Sequence, residues 1–145
     1  MENPNIQKHY EEARKNAKEF YRTIGHIWCP MLNDYVVFKS AGLRHLIRKN
    51  GKPRSERDQM RRFLLLNSAP GILADPTARV IQREKNEMPD ASRGTSTPPS
   101  ARFLTITAQR NEKIITIVVR QIRDGKRNFL SIYDQKIAQR NRATL

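Results

Sequence analysis

The sequence predicts an α+β domain with N-terminal helices packed on a C-terminal antiparallel sheet of about four strands. Three observations carry this expectation. Apolar residues recur at helical spacing near the start of the chain, β-rich segments separated by turn signals fill its last part, and 145 residues suffice for a single core, so the whole of 1–145 is read as one domain.

Ile6, Tyr10, Ala13, Ala17, Phe20, Tyr21 and Ile24 alternate steps of four and three, the signature of a long amphipathic helix over 6–24. Gly25 and Pro30 end it, and Trp28, Cys29 and Met31 are expected in the core at the corner before a strand at Tyr35–Phe38. Ser40 is placed to N-cap a second helix, which Asn50–Gly51 and Pro53 stop. A third helix is expected from Ser55, with Glu56 in its first turn, through Met60, Phe63, Leu64 and Leu66 until Pro70–Gly71 breaks it. Arg79–Gln82 reads as a further strand.

Residues 87–100 hold three prolines, one glycine, three serines and two threonines, and are expected to form a flexible loop. A substrate-contacting flap and a tolerated insertion are both open for it. Beyond it, Ala101–Gln109, Lys113–Ile122 and Arg127–Tyr133 form a β-meander over 101–133, turning at Arg110–Asn111–Glu112 and at Asp124–Gly125.

A two-residue hairpin at Asp124–Gly125 would pair Arg120 with Phe129, Val118 with Ser131 and Thr116 with Tyr133. Ile115, Ile117, Val119, Leu130 and Ile132 then face the core, joined by Leu104 and Ile106 if the preceding loop is even in length. The opposite face presents Thr105, Thr107, Thr116, Arg120, Phe129, Ser131 and Tyr133. The threonines are good strand residues without need of a role. Arg120 is different, because a charge midway along a strand of Ile and Val needs a partner or a ligand.

Composition restricts the partners. Lys and Arg number 28 against 14 Asp and Glu, a formal charge of +14, with a pI near 10.6. Such a field attracts polyanions without specifying a sequence or a reaction. The mean hydropathy of -0.75 is low for a compact fold, so part of the chain is expected to be exposed. The single cysteine, Cys29, excludes an intrachain disulfide and leaves no Cys/His pattern for zinc, so no cofactor is expected and the chemistry is either metal-free or uses a metal brought by the substrate. The start, Met1–Glu2–Asn3–Pro4, leads into a polar helix; no export signal is expected, and no stretch approaches the length of a membrane span.

The candidate site centres on His45. On a helix, Leu43, Leu46 and Ile47 share one face and His45 points away from it, flanked by Arg48 and Lys49. An imidazole between two cations suits an anionic ligand; a surface histidine in a solvated basic stripe is the plain alternative. The run Lys52–Arg62, with Arg57, Arg61 and Arg62, reads either as a footprint for phosphate or as an ordinary solvated helix face. Ser131 and Tyr133, beside Arg120, could bind a phosphate oxygen and stack a base. Lys126 and Lys136 extend the positive rim, and His9 and His26 are assigned no role.

Trp28–Leu32, Val36–Phe38, Gly42–Ile47, Gln59–Phe63, Ile117–Arg120, Lys126 and Phe129–Tyr133 together resemble the barnase/EndoU/colicin/RelE-like (BECR) group of phage- and toxin-associated nucleases. The likeness runs from Trp28 to Tyr133, leaving out the flexible loop. The resemblance implies a basic sheet cleft that cleaves RNA without metal, with His45, Arg120, Lys126 and Ser131 as catalytic residues. Arg44, Arg48, Lys49, Arg57, Arg61, Arg62 and Tyr133 are the expected substrate contacts. The acidic general base of barnase-like members has no matching position, since Glu112 lies at a turn and Asp124 and Asp134 at strand ends. The resemblance further implies a toxin-like role in a bacterial or phage-derived cytoplasm, delivery by other machinery where a target cell is involved, and an acidic immunity protein or antitoxin as partner. A non-catalytic basic RNA-binding or ribosome-docking module fits the same charge. A metal-dependent DNase fits less well, because no carboxylate cluster is available to hold the ion.

Overall fold

The computed structural model describes residues 4–85 and 101–136; the 87–100 loop lies outside the described residues. In chain order the elements are α1 (Pro4–Ile24), β1 (His26–Cys29), β2 (Asp34–Val37), α2 (Ser40–Ile47), β3 (Arg48–Lys49), β4 (Lys52–Pro53), α3 (Glu56–Leu66), α4 (Ala69–Ala74), β5 (Arg79–Lys85), β6 (Ala101–Arg110), β7 (Lys113–Ile122) and β8 (Arg127–Lys136). The class is α+β, as expected, but the main sheet has six strands in the order β1-β2-β8-β7-β6-β5, and β3 and β4 form a separate hairpin. The sheet is mixed, because β2 joins β8 in parallel, at Val36↔Arg127 and Val37↔Asn128.

Each departure from the sequence reading has a local cause. β1 is four residues long, too short for a period to show, whereas β2 is the expected Tyr35–Phe38 strand begun one residue earlier. Only Cys29 of the corner residues is in the core: it is fully buried, whereas Trp28 and Met31 are 44% and 43% exposed. Ser40 is the first residue of α2 rather than its cap; Lys39 takes that place, and its carbonyl accepts a 2.6 Å bond from the Tyr21 hydroxyl. Asn50 and Gly51, at φ of 54° and 77°, close the β3–β4 hairpin as well as ending the helical region, so Arg48 and Lys49 lie on a strand and not on α2. Pro70–Gly71 does not break a helix but sits at the start of α4, where proline's missing N–H is not needed. Ser55 caps α3 by accepting from the Asp58 N–H at 3.1 Å.

The core lies between the helices and one face of the sheet, and includes Tyr10, Tyr21, Leu46, Phe63, Leu66, Ile72, Leu104, Ile106, Ile117, Val119, Phe129 and Ile132. Leu64, expected in the apolar stripe of α3, is 69% exposed, and Leu65 is buried instead. The two-residue turn at Asn111–Glu112 puts Leu104 opposite Val119 and Ile106 opposite Ile117, the condition under which they were expected on the core face.

At the next turn the chain passes through Arg123 (φ 52°), and the near pairs are Arg120↔Asn128 and Val119↔Phe129. A register shift follows, leaving Leu130 unpaired, so that Val118↔Ser131 and Thr116↔Tyr133 pair as anticipated. The bulge turns Phe129 inward: it is 1% exposed, stacks on Phe38 at 4.6 Å and meets Tyr21 edge-on at 5.9 Å. Phe129 therefore leaves the ligand face. Among the described residues no helix is long and apolar enough to cross a membrane.

Gly42 sets the height of α2 above β8. A Cβ there would lie 2.5 Å from the Phe129 carbonyl oxygen and would also strike the Tyr21 hydroxyl and the Phe129 ring. Gly42→Ala would gain about 1 kcal/mol of helix propensity. Overpacking against backbone costs about 3 kcal/mol, so the clash wins. The variant is expected to lose roughly 5–10 °C in Tm, read by circular dichroism. An unchanged Tm would contradict the close approach.

Candidate functional site

β2 pairs with β8 at only two positions before the chain leaves for α2, and α2 then packs along β8. This brings one face of the short helix beside the polar face of the sheet. Ala41, Arg44, His45 and Arg48 line a cleft of about 280 Å³ together with Asn50 and Gly51 of the hairpin and Arg120 of β7. Arg48 donates to the Gly51 carbonyl at 2.7 Å, fixing the hairpin as one wall.

The back of the site is a chain of hydrogen bonds. The Tyr10 hydroxyl of α1 donates to Gln59 at 2.6 Å, Gln59 donates to the Arg54 carbonyl at 2.7 Å, and the Arg54 guanidinium donates to the His45 carbonyl at 2.8 Å. Asp58 joins Arg54, at 3.2 Å, to Arg62, at 3.0 Å. Arg62 also donates to the Ser131 hydroxyl at 2.8 Å and to the Ile132 carbonyl at 2.9 Å. Burial alone would raise the Asp58 carboxyl, but the hydrogen bonds and charges of Arg62 and Arg54 outweigh it and hold the carboxyl below its ordinary range.

His45 is half-buried, and its pKa lies below the usual histidine value. Burial is the largest cause, followed by the positive charges of Arg54, Arg120, Arg62 and Arg44. The cations acting on it are thus not the Arg48 and Lys49 of the sequence reading. The neutral imidazole is favoured, a form able to accept a proton.

Arg120 lies in a cross-strand row with Phe103 and Asn128, and its buried Nε has no hydrogen-bond partner among the described residues. Leaving such a donor unsatisfied costs about 1–3 kcal/mol. Among the described residues no carboxylate pairs with it. Asn128 Oδ1, on the residue opposite, is likewise buried without a partner, and an anion in the cleft would bring the negative charge that no carboxylate supplies.

The structure therefore gathers His45, Arg120, Arg44 and Arg48, and connects Ser131 to their surroundings through Arg62. Tyr133 is half-buried on the same sheet face, opposite Thr116. Lys126 is apart, lining a second hollow with His26, Asp34, Tyr35 and Val37. Lys49 is exposed opposite Lys52, and Arg57 is exposed on α3. Arg61 pairs with the buried Asp134, which Lys113 also approaches at 3.4 Å. Arg61 and Arg62 thus have internal partners as well as charge. Sequence reasoning did not single out Arg54, whose side chain is 8% exposed; in the sequence it is one of several arginines, and only the tertiary fold turns it under α2. Among the described residues no group of three or more His, Cys, Asp or Glu is placed to hold a metal ion.

Asp58→Asn would leave Arg54 and Arg62 facing each other. Because Asp58 is partly solvated, the expected loss is about 2 kcal/mol, between surface and buried ion pairs, measured by urea unfolding at neutral pH. The folded carboxyl titrates below its unfolded value of about 3.9, so its stabilisation is complete above that value and is lost as pH falls through the lower folded one. The gap between parent and variant should narrow in acid; a constant gap would contradict the pairing.

No protein-family model, curated protein or solved structure matches the chain.

Proposed function

We propose that the chain is a metal-independent endoribonuclease that cleaves RNA by attack of a ribose 2′-hydroxyl on the adjacent phosphate. The observation that carries this reading is the cleft lined both by a half-buried imidazole of lowered pKa and by Arg120, which no carboxylate pairs among the described residues. His45 accepts the 2′-hydroxyl proton as the oxygen bonds to phosphorus. The 5′-oxygen leaves and takes a proton from solvent, giving a 2′,3′-cyclic phosphate and a 5′-hydroxyl end. Arg120, with Arg44 and Arg48, holds the phosphate and stabilises the charge that grows on it, commonly the largest contribution in such reactions. Ser131 acts through Arg62, and Lys126 binds the strand away from the scissile bond.

The toxin-like, phage-associated character, the cytoplasmic setting and an acidic immunity protein or antitoxin covering the cleft belong to the same reading. They are supported by the charge of +14 and by the resemblance to BECR nucleases. The second reading is a non-catalytic RNA-binding or ribosome-docking module. It is favoured by the composition of the cleft, in which every cation beside His45 is a guanidinium that binds phosphate without transferring protons.

Mixed cellular RNA incubated with the protein in EDTA should give fragments ending in cyclic phosphate. His45→Ala should cut at least about 10²-fold more slowly while binding RNA with nearly unchanged affinity. With His45 as base, cleavage should fall as the imidazole protonates, so the acid limb of the pH–rate profile should lie below the ordinary histidine value of about 6.5. Salt-sensitive binding without fragments would favour the binding module; equal loss of binding and cleavage in the variant would contradict the role of His45.

A further inference from the structure

The second hollow belongs to a larger feature that the proposed chemistry does not use. His26 pairs with Val37, Val37 with Asn128 and Asn128 with Arg120, so one cross-strand row joins the edge strand to the candidate site. Partners directly opposite in a sheet share a face, and Trp28 and Tyr35 lie two residues along from His26 and Val37 on that face. The Tyr35 ring stands between two others, 4.7 Å from His26 and 5.0 Å from Trp28, both edge-on. These side chains are not core: Tyr35 is 47% and Trp28 44% exposed, with Met31 beside the turn at 43%. Single exposed aromatics need no explanation, but a contiguous group at a sheet edge does.

The charges around the strip indicate its occupant. Lys126 lines the hollow together with Tyr35 and His26. The one carboxylate there, Asp34, accepts from the Tyr35 N–H at 2.7 Å and faces the Arg127 guanidinium at 3.6 Å. A cation therefore remains beside exposed rings, on the face where the row leads to Arg120. Strand spacing puts Val37 about 10 Å and His26 about 14 Å from Arg120, within the reach of a few nucleotides. Rings to stack on and cations for the backbone are the two requirements of single-strand binding.

We propose that Trp28 and Tyr35 form a stacking platform for unpaired bases of the RNA strand whose phosphate enters the His45–Arg120 cleft, with Lys126 holding the backbone between them. The proposal rests on the RNA reading of that cleft and specifies its substrate as single-stranded. A duplex keeps its bases stacked on each other and cannot use the platform.

Trp28 is the only tryptophan in the chain, so its emission reports the platform directly. The test uses the His45→Ala protein, expected to hold RNA without cutting it, titrated with a short oligoadenylate, the same strand in a duplex, and inorganic polyphosphate. The single strand is expected to quench the emission, and polyphosphate to bind without quenching. Trp28→Ala or Tyr35→Ala should weaken oligoadenylate binding roughly tenfold, while Tyr35→Phe, which keeps the ring, should bind as the parent does. Unchanged emission on adding oligoadenylate, equal affinity in the alanine variants, or equal quenching by the duplex would each overturn the platform. Cleavage is scored separately on the parent protein: RNA cut without any change in emission would refute the platform and leave the nuclease reading standing, and quenching without cleavage would do the reverse.

Discussion

The contact between α2 and β8 at Gly42 is the constraint on which the candidate site depends. β2 gives β8 only two residues of pairing, and the remainder of that strand edge is taken over by helix packing. Glycine lets the helix backbone settle against the Phe129 carbonyl, and the height so fixed is the height at which His45 meets Arg120. The bulge after Phe129 serves the same contact from the other side. It sends the Phe129 ring inward to Tyr21 and Phe38, and keeps Arg120 and Ser131 on the opposite face.

Placing so many guanidiniums around one imidazole is costly, and the fold offsets the cost unevenly. Arg54 and Arg62 are largely removed from water, and both are satisfied by Asp58, by backbone carbonyls and by Ser131. Arg61 has Asp134. Among the described residues Arg120 receives no such compensation. Arg54 and Arg62 are held by internal partners behind the cleft, whereas Arg120, which lines it, keeps a buried donor without a partner among the described residues, as Arg14 does on α1. The same arrangement accounts for His45: a proton added there would be half-buried and surrounded by like charges, so the base form prevails.

The long periodic elements were legible in the sequence. α1 has clear steps of three and four, and the β6–β7–β8 meander has alternation and turn residues, so their faces could be assigned with few errors. Short elements were not, because four residues of β1 or two of β3 carry no period. The Asn50–Gly51 pair was read only as a helix stop although it is also a strong hairpin signal, and that misplaced Arg48 and Lys49. His45 and Arg120 were legible as chemical oddities, a histidine opposite an apolar stripe and a charge inside an apolar strand. Their meeting in one cleft was not, since it depends on where β2 releases β8. The division of the arginines into those with internal partners and those facing the cleft also arises only in three dimensions. The aromatic strip was missed for a related reason: a tryptophan beside a buried cysteine reads as core until the strand alternation of β1 is known.

The central claim is that Arg120 and His45 share one electrostatic environment in the folded protein. It is tested most directly by following the His45 imidazole through a pH titration by nuclear magnetic resonance, in the parent and in Arg120→Gln. The parent is expected to titrate below the ordinary histidine value of about 6.5, and the variant, relieved of one neighbouring charge, to titrate higher than the parent while remaining folded. A parent titrating at the ordinary value, or a folded variant with an unshifted His45, would mean that the two groups do not act on each other and that the proposed cleft is not a single site.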